Sequence, residues 1–343
     1  MGKRLNSILS RAEKGDVLSS DEILYILGLR QPRQLEAVFE TARALRRKFF
    51  GNRVLLYGFL YISTYCRNNC TFCFYRESNH SSHRYRKTGP EILEAAIQLA
   101  RSGVHLIDLT MGEDPRLFND GEEGIEQLTG LIETIKAEVQ LPVMVSPGVV
   151  PGLVLEKLAK AGADWYACYQ ETHNRELFKQ LRPGQDYDAR IQIKKQAIQY
   201  GLKVEEGILV GVGEKPEDIV ETIETVRNME IHQVRAMNFV PRENTPMEKV
   251  HPPDPLKELL IIALFRLVFP AKCIPATLDV EGLGGLKRRL QAGANVVTSI
   301  VPPGQGLAGV ARSYLDIDDA RRTVSSVLPV LAECGLEPEV QQR

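Results

Sequence analysis

Three cysteines of the sequence, Cys66, Cys70 and Cys73, are close enough along the chain to bind one inorganic centre. They form a C-x3-C-x2-C pattern in the stretch YCRNNCTFCFY (65–75), directly after an apolar run that is typical of a strand. Structural zinc and ordinary [4Fe–4S] clusters each take four protein ligands, so three cysteines are one ligand short of a closed site. The spacing therefore predicts a [4Fe–4S] cluster with one open iron, and Phe72 would give that centre an apolar cover.

The same three cysteines have simpler interpretations, which stay open at this point. They could be buried thiols that pack as small hydrophobic groups, or part of a zinc knuckle, or ligands of a cluster that only carries or senses electrons. Packing explains poorly why three thiols share one polar, Asn-containing turn, and no Cys or His pair elsewhere completes a zinc set. An electron carrier would need a fourth ligand to the cluster.

The composition is that of an ordinary globular protein. The 343 residues are 43% hydrophobic and 25% charged, and the net charge of −1 gives no field that would attract nucleic acid or an anionic membrane. No apolar run reaches the roughly 18 residues that a membrane span needs, and MGKRLNSILSRAEKGD at the N-terminus contains no apolar export segment. We expect a cytoplasmic protein that binds neither nucleic acid nor membrane. The basic run RALRRKFF (43–50) is expected to be the solvated face of a helix.

Strand-like and helix-like segments alternate along most of the chain. The apolar runs predicted as strands are 54–63, 104–110, 141–147, 164–170, 203–211, 234–240, 273–280 and 294–302. The stretches predicted as helices between and after them are 90–102, 122–139, 154–161, 188–200, 216–229, 255–269, 283–291 and 317–333. Eight such repeats predict an α/β fold with a parallel sheet that closes into a (β/α)8 TIM barrel.

The residues before the first strand have a different character. Residues 1–50 are predicted to be helical throughout, as an N-terminal extension to a barrel domain of 51–343, and Ser19 to Glu22 form a capping box. In such barrels the reacting groups lie at the C-terminal ends of the strands. The polar residues predicted there, besides the cysteines, include Asp108, Ser146, Glu171, Arg235, Thr277 and Asp279. Each one alone could equally be a helix cap or an ion-pair partner.

The cysteine pattern, with an aromatic residue before the last cysteine, resembles the radical S-adenosylmethionine (SAM) family. In that family the open iron binds the amino and carboxylate groups of the methionine part of SAM. The string MGED (111–114) resembles the family's strand end that meets the SAM amino group, which implies SAM contacts for Met111, Gly112 and Glu113, and Ser146 is expected beside them. YQETHNRELFKQLRPGQDYDAR (169–190) is similar to the subgroup that contains biotin synthase, which implies that Glu171 and Arg190 bind SAM.

Further strings between residues 51 and 303 resemble the methylornithine synthase family of radical SAM enzymes. They are GNRVLLYGFLYISTYC, HLIDLTMGEDP, MVSPG, EEGILVGVG, RAMNFVPRENTPME, RLVFPAKCIPATLDVEG and GANVVTSIVPP. The resemblance implies a mutase that converts L-lysine into (3R)-3-methyl-D-ornithine, through a 5′-deoxyadenosyl radical, fragmentation and recombination, with an external one-electron reductant. The alternative is a radical SAM maturase or lyase of the same subgroup that acts on another small amino acid.

That substrate suggests roles for the remaining polar residues. Arg235 is the one cationic residue on a strand whose side chain is predicted to face into the barrel, and it suits the lysine carboxylate. Asp108 and Asp279 suit the two ammonium groups. The family is expected to have serine where this chain has Thr277, so the added methyl group is expected to narrow the pocket.

Overall fold

A barrel of eight parallel strands forms the centre of the computed structural model, which describes residues 2–119, 122–302 and 322–340. The strands are β1 (Arg53–Ser63), β2 (Leu106–Met111), β3 (Val143–Ser146), β4 (Trp165–Ala167), β5 (Lys203–Val210), β6 (Gln233–Asn238), β7 (Pro275–Thr277) and β8 (Val296–Ile300). They follow the order β6-β5-β4-β3-β2-β1-β8-β7. Among the described residues, β6 joins the β7 side of the barrel only through a bridge between Gln233 and Cys273, which lies two residues before β7, so the barrel is nearly closed. The predicted α/β barrel and its eight strands are confirmed.

The helices lie around this barrel in the predicted alternation. They are α1 (Lys3–Lys14), α2 (Ser20–Leu27), α3 (Pro32–Phe50), α4 (Gly89–Ser102), α5 (Arg116–Asn119), α6 (Glu123–Val139), α7 (Gly152–Lys160), α8 (Arg175–Leu181), α9 (Tyr187–Gln199), α10 (Pro216–Asn228), α11 (Pro255–Val268), α12 (Gly282–Gln291) and α13 (Val324–Glu333). The short helices α5 and α8 were not predicted, nor was β9 (Glu337–Pro338), which pairs with β1. Residues 317–321 of the last predicted helix lie outside the described residues.

Three helices separated by short turns precede β1, in agreement with the predicted helical character of residues 1–50. The capping box is confirmed, because the Ser19 side chain accepts from Glu22 N–H and the Glu22 carboxylate accepts from Ser19 N–H. The expectation for the basic run is wrong at Arg46, which is 5% exposed. Its guanidinium donates to the carbonyls of Leu290 and Ala294, so it joins α3 to the end of α12. Buried carbonyls at a helix end are good acceptors for such a cation.

The lower half of the barrel is filled by apolar side chains. Tyr57, Leu106, Met144, Trp165 and Val296, from five different strands, form one buried cluster there. Successive residues of a strand face opposite sides, so the residues two positions further along point into the barrel above this floor. On the first four strands those residues are Phe59, Asp108, Ser146 and Ala167, and all four line the cavity described below. The sequence therefore closes the barrel below with apolar side chains and places Asp108 and Ser146 above them.

No helix among the described residues combines the length and the apolar character that crossing a membrane requires.

Candidate active site

One cavity at the C-terminal ends of the strands contains nearly all of the predicted site residues. The residues that line it include Cys66, Cys70, Phe72, Cys73, Asp108, Met111, Gly112, Glu113, Ser146, Glu171, Arg190, Arg235 and Asp279. Thr277 does not line the cavity. Side chains from most strands of the barrel therefore meet at one place, although their individual chemical roles remain predictions.

The segment after β1 carries the three cysteines across the top of the barrel. Backbone hydrogen bonds attach it to two other elements, since Arg67 N–H donates to Glu113 O at 3.0 Å and Thr71 N–H donates to Leu181 O at 2.8 Å. The approach at Gly112 is close, because a Cβ added there would lie 2.4 Å from the Tyr65 carbonyl oxygen. Gly112 is thus needed to let the cysteine segment pack on the end of β2.

The surroundings of the three cysteines favour their binding to a positively charged centre. Burial raises the pKa of Cys66, and burial together with the charges of Cys70 and Cys66 raises the pKa of Cys73. A cluster of iron ions would remove the repulsion between the three thiolates. No group of three His, Cys, Asp or Glu side chains in the described part of the chain could hold one metal ion. In a [4Fe–4S] cluster each cysteine binds a different iron, so its thiolates do not have to meet at one point.

Glu113 and Arg190 form a buried ion pair in the upper part of the cavity. Arg190 Nη2 donates to Glu113 Oε1 at 2.9 Å, and Arg67 contacts the other oxygen at 3.2 Å. Val149 N–H also donates to Glu113 at 3.1 Å, and a Cβ on Gly148 would collide with the Glu113 side chain at 1.9 Å. Burial opposes ionisation of Glu113, but Arg190 and Val149 outweigh it and lower the pKa. Arg190 is only 3% exposed and is therefore not a surface arginine.

Glu171 occupies a strained position just after β4. Its φ of 67° is in the left-handed region, which glutamate rarely adopts, and it is 6% exposed. Its carboxylate accepts from Arg182 Nη2 at 2.6 Å, yet burial outweighs Arg182 and raises the pKa of Glu171. Arg182 also lies over the Phe72 ring at 5.4 Å. Arg182 was not predicted as a site residue, because no periodicity or motif distinguishes it within RPGQD.

The backbone at Glu171 is supported from behind by a buried polar network. Glu206 Oε1 accepts from Gln170 N–H at 2.7 Å and from Gly207 N–H at 2.8 Å, and its other oxygen pairs with Lys194. Burial alone would raise the pKa of Glu206, but Lys194 and His173 lower it to about 2. An ionised Glu206 therefore holds the two peptide groups beside Glu171.

Deeper in the barrel, Arg235 is paired with an acidic residue that was not predicted from the sequence. Arg235 Nε donates to Glu205 Oε1 at 2.7 Å, and Nη1 donates to Thr298 Oγ1 at 3.3 Å. Tyr169 donates to the second oxygen of Glu205 at 3.0 Å. Gly207 makes room for this contact, because a Cβ there would lie 2.8 Å from the Tyr169 ring. Two adjacent acidic residues, Glu205 and Glu206, within a strand that is buried from Val204 onward were the signal that could have identified Glu205.

Asp108 lies close to this pair and is 8% exposed. Its Oδ1 accepts from Thr110 Oγ1 at 3.0 Å. Burial, and next the negative charge of Glu205, raise the pKa of Asp108 to about 7, although Arg235 acts in the opposite direction. Asp108 can therefore change its charge near neutral pH.

Asp279 sits across the cavity in a second polar cluster. Its Oδ2 accepts from Ser299 Oγ at 2.6 Å and from Thr277 Oγ1 at 3.4 Å. Its Oδ1 lies 2.9 Å from Arg322 Nη2 in an ion pair. Thr277 does not itself line the cavity, but its hydroxyl contacts Asp279, so its role as a site residue stays a prediction. Arg322 lies within the stretch 317–333 that was predicted as a helix, and nothing in the sequence marks it as a site residue.

The residues fit a cluster and an amino-acid-like cofactor. Three thiols face one cavity, the carboxylates of Glu113 and Glu171 and the guanidinium of Arg190 offer charges of both signs, and Gly112 and Gly148 keep the walls free of side chains. Asn238 also lines the cavity, and its buried Oδ1 has no hydrogen-bond partner among the residues that the structure describes. Such an atom favours a polar ligand.

Comparisons with known proteins agree with this geometry. The Radical SAM superfamily profile matches residues 60–226. The chain is 41% identical to 3-methylornithine synthase of Methanosarcina acetivorans over 96% of this chain and 92% of that protein. It is 42% identical to 3-methylornithine synthase of Methanosarcina barkeri over 98% of this chain and 95% of that protein. A crystal structure of methylornithine synthase superposes with a TM-score of 0.91 at 40% identity, covering 97% of this chain and 98% of the other.

Matches of this extent include the barrel, the cysteine segment and the helices before β1 together. The chain therefore belongs to the radical SAM superfamily and, within it, to the family of 3-methylornithine synthases.

Proposed function

We propose that this chain is a radical SAM mutase that isomerises L-lysine to (3R)-3-methyl-D-ornithine. The observation that carries the proposal is the shared cavity, which has the three cysteines at its mouth and the charged group of Asp108, Arg235 and Asp279 deeper inside. Identity above 40% with two 3-methylornithine synthases over nearly the whole chain supports the same reaction. The six cysteines are free thiols, which suits a reducing compartment such as the cytoplasm.

The charges around the deeper cavity suit lysine. Within the group formed by Asp108 and the ion pairs Arg235–Glu205 and Arg322–Asp279, two positive and three negative charges leave one negative charge when Asp108 is ionised. Lysine carries two ammonium groups and one carboxylate, so its net charge is opposite to that of this group of residues. Since unpaired buried charge is costly, this balance favours a substrate with one excess positive charge.

The proposed cofactors are a [4Fe–4S] cluster held by Cys66, Cys70 and Cys73, and SAM held by Glu113, Glu171 and Arg190. When bound and reduced by an external one-electron donor, these cofactors would supply the radical chemistry that removes a hydrogen atom from the substrate. The chain's own residues bind and orient the substrate. Arg235, fixed by Glu205 and Thr298, offers its remaining N–H groups to a carboxylate, while Asp108 and Asp279 accept from ammonium groups.

The buried setting has a second consequence for such a reaction. Asp108, Glu205, Arg235 and Asp279 are each at most 8% exposed, so water has little access to the deeper cavity. Fixed charges at both ends of the substrate would keep fragments in place until they recombine, and exclusion of water would protect them.

The test is anaerobic reconstitution of the chain with iron, sulfide, SAM, dithionite and L-lysine, followed by mass spectrometry and chiral chromatography. Formation of (3R)-3-methyl-D-ornithine supports the proposal. Cleavage of SAM without a product from lysine would instead indicate a radical SAM enzyme that acts on another small amino acid.

Arg235→Lys refines this test. The introduced lysine side chain keeps the positive charge but lacks the planar guanidinium with its paired N–H donors. Loss of a charge-assisted hydrogen bond costs about 1.5–3 kcal/mol, so turnover of the substrate L-lysine should fall at least about tenfold. Iron content should not change. Arg227→Lys, on the outer helix α10 where Arg227 pairs with Glu224, is the matched control and should retain normal turnover.

A further inference from the structure

The sulfur of Cys70 is the one cysteine sulfur of the cavity mouth for which the described residues provide two side-chain donors. Gln185 Nε2 donates to Cys70 Sγ at 3.1 Å, and Arg182 Nη1 lies at 3.4 Å from the same sulfur. Cys70 is 5% exposed, so water offers little competition for these contacts. Hydrogen bonds to a thiolate are charge-assisted and are stronger in such surroundings.

Both donors also contact a residue of the proposed SAM site. Arg182 Nη2 donates to Glu171 Oε1 at 2.6 Å. Gln185 Oε1 accepts from Arg190 Nη2 at 2.8 Å. Two side chains between α8 and α9 thus connect Cys70 with the carboxylate and the guanidinium that we assign to SAM.

These contacts have a direct effect on a cluster bound to Cys70. Reduction adds negative charge to a cluster and its thiolate ligands, and hydrogen bonds to the sulfur stabilise that charge, which raises the reduction potential. A ligand that binds Glu171 or Arg190 changes how firmly Arg182 and Gln185 are held. The two sites are then linked, and linkage is reciprocal.

We propose that Arg182 and Gln185 are positioning residues that raise the reduction potential of the cluster and couple it to occupancy of the SAM site. The inference rests on the proposed cluster and on SAM as its partner, and it assigns a role to two residues that the sequence did not identify. Neither residue has to touch the substrate for this role.

The experiment measures the midpoint potential of the reconstituted cluster by redox titration followed by electron paramagnetic resonance, with and without SAM. The variants are Gln185→Met, which removes the donor at similar size, and Gln185→Glu, which replaces the donor by an acceptor. Gln192→Met on the exposed side of α9 is the matched control.

The wild type should have the highest midpoint potential, Gln185→Met a lower one and Gln185→Glu the lowest. Gln185→Met should lower the equilibrium constant for reduction about tenfold, which corresponds to about 59 mV for one electron. The change in potential that SAM causes in the wild type should be smaller in both Gln185 variants. Gln192→Met should match the wild type in both measurements.

Contrary results would each overturn a specific claim. Equal potentials in all four proteins, or an unchanged effect of SAM in the Gln185 variants, would overturn the coupling. Loss of iron from Gln185→Met but not from Gln192→Met would also overturn it, since Gln185 would then serve cluster assembly. A wild-type chain that binds no four-iron cluster would overturn the proposed function itself, and this inference with it.

Discussion

Asp108→Asn should make the iron-free protein more stable at pH 8, although it removes a residue that we assign to substrate binding. Burial and the neighbouring Glu205 raise the pKa of Asp108 from 3.8 to about 7 in the folded chain. In the unfolded chain Asp108 ionises near its ordinary pKa. Below pH 3.8 the carboxyl is protonated in both states, and it does not affect the pH dependence of stability there.

The destabilisation grows as the pH rises between the two pKa values. In that pH range the Asp108 carboxyl is ionised in the unfolded chain and still protonated in the folded chain. Folding must therefore take up a proton, which becomes less available as the pH rises. At 1.36 kcal/mol per pH unit, the interval from 3.8 to about 7 amounts to roughly 4 kcal/mol, which is fully present above pH 7. The asparagine side chain would avoid this loss because it carries no charge, so the gain in stability should be small at pH 4 and largest at pH 8.

Chemical denaturation of the iron-free protein at pH 4, 6 and 8 measures this gain. Asp188→Asn is the matched control, because Asp188 is exposed and a hydrogen bond from Arg175 lowers its pKa, so removing its charge should not stabilise the chain at pH 8. An Asp108→Asn protein that gains no more stability at pH 8 than at pH 4 would refute the assignment of a raised pKa.

The same ionisation should control substrate use. If ionised Asp108 binds an ammonium group of lysine, kcat/KM for lysine should rise about tenfold between pH 6 and pH 8, as expected for one group with a pKa of about 7. Asp108→Asn should remove this rise. Formation of 5′-deoxyadenosine without lysine, followed over the same pH range, is the control for effects on the cluster.

Two further predictions concern the cofactor half of the cavity. Cys70→Ala should bind fewer than four irons per chain and release no 5′-deoxyadenosine, as measured by iron analysis and chromatography, and a full iron content with product would contradict the assigned ligands. Arg190→Lys should weaken SAM binding at least about tenfold in equilibrium titration, because the lysine side chain cannot donate two parallel hydrogen bonds to the SAM carboxylate. The iron content should stay normal. Unchanged SAM affinity would leave Arg190 with only its ion pair to Glu113.

The barrel could be predicted because its signal is repeated along the chain. β-Branched and aromatic runs such as VLLYGFLYIS form strands, and capped amphipathic stretches such as that beginning at Pro90 form helices, whatever the distant contacts are. The predicted ends of the strands were less exact where the chain bends toward the cavity. The run 164–170 was predicted as one strand, but β4 ends at Ala167, and the chain then turns inward to bring Tyr169 and Glu171 to the site.

The position of the candidate site was predictable, but its charge partners were not. Residues at the ends of parallel strands share one edge, which is why Cys66, Glu113, Glu171, Arg235 and Asp279 could be expected together. From the sequence alone, Arg235 and Asp279 were expected to be free charges that await a substrate. Glu205 and Arg322 pair with them in the fold, and pairing across a barrel depends on register and rotamers that no local pattern reveals.

These pairings change how the cavity can select a substrate. Two isolated aspartates and one arginine would bind strongly to many charged molecules, because each group would gain a partner on binding. Arg235 is already paired with Glu205, and Asp279 with Arg322. A ligand therefore gains binding free energy only from the donor and acceptor positions that these pairs leave free. Asp108, in contrast, is poised to change its charge near neutral pH. A ligand gains most when one ammonium group reaches Asp108 while its other groups fit the paired sites, so discrimination depends on the length and spacing of the substrate.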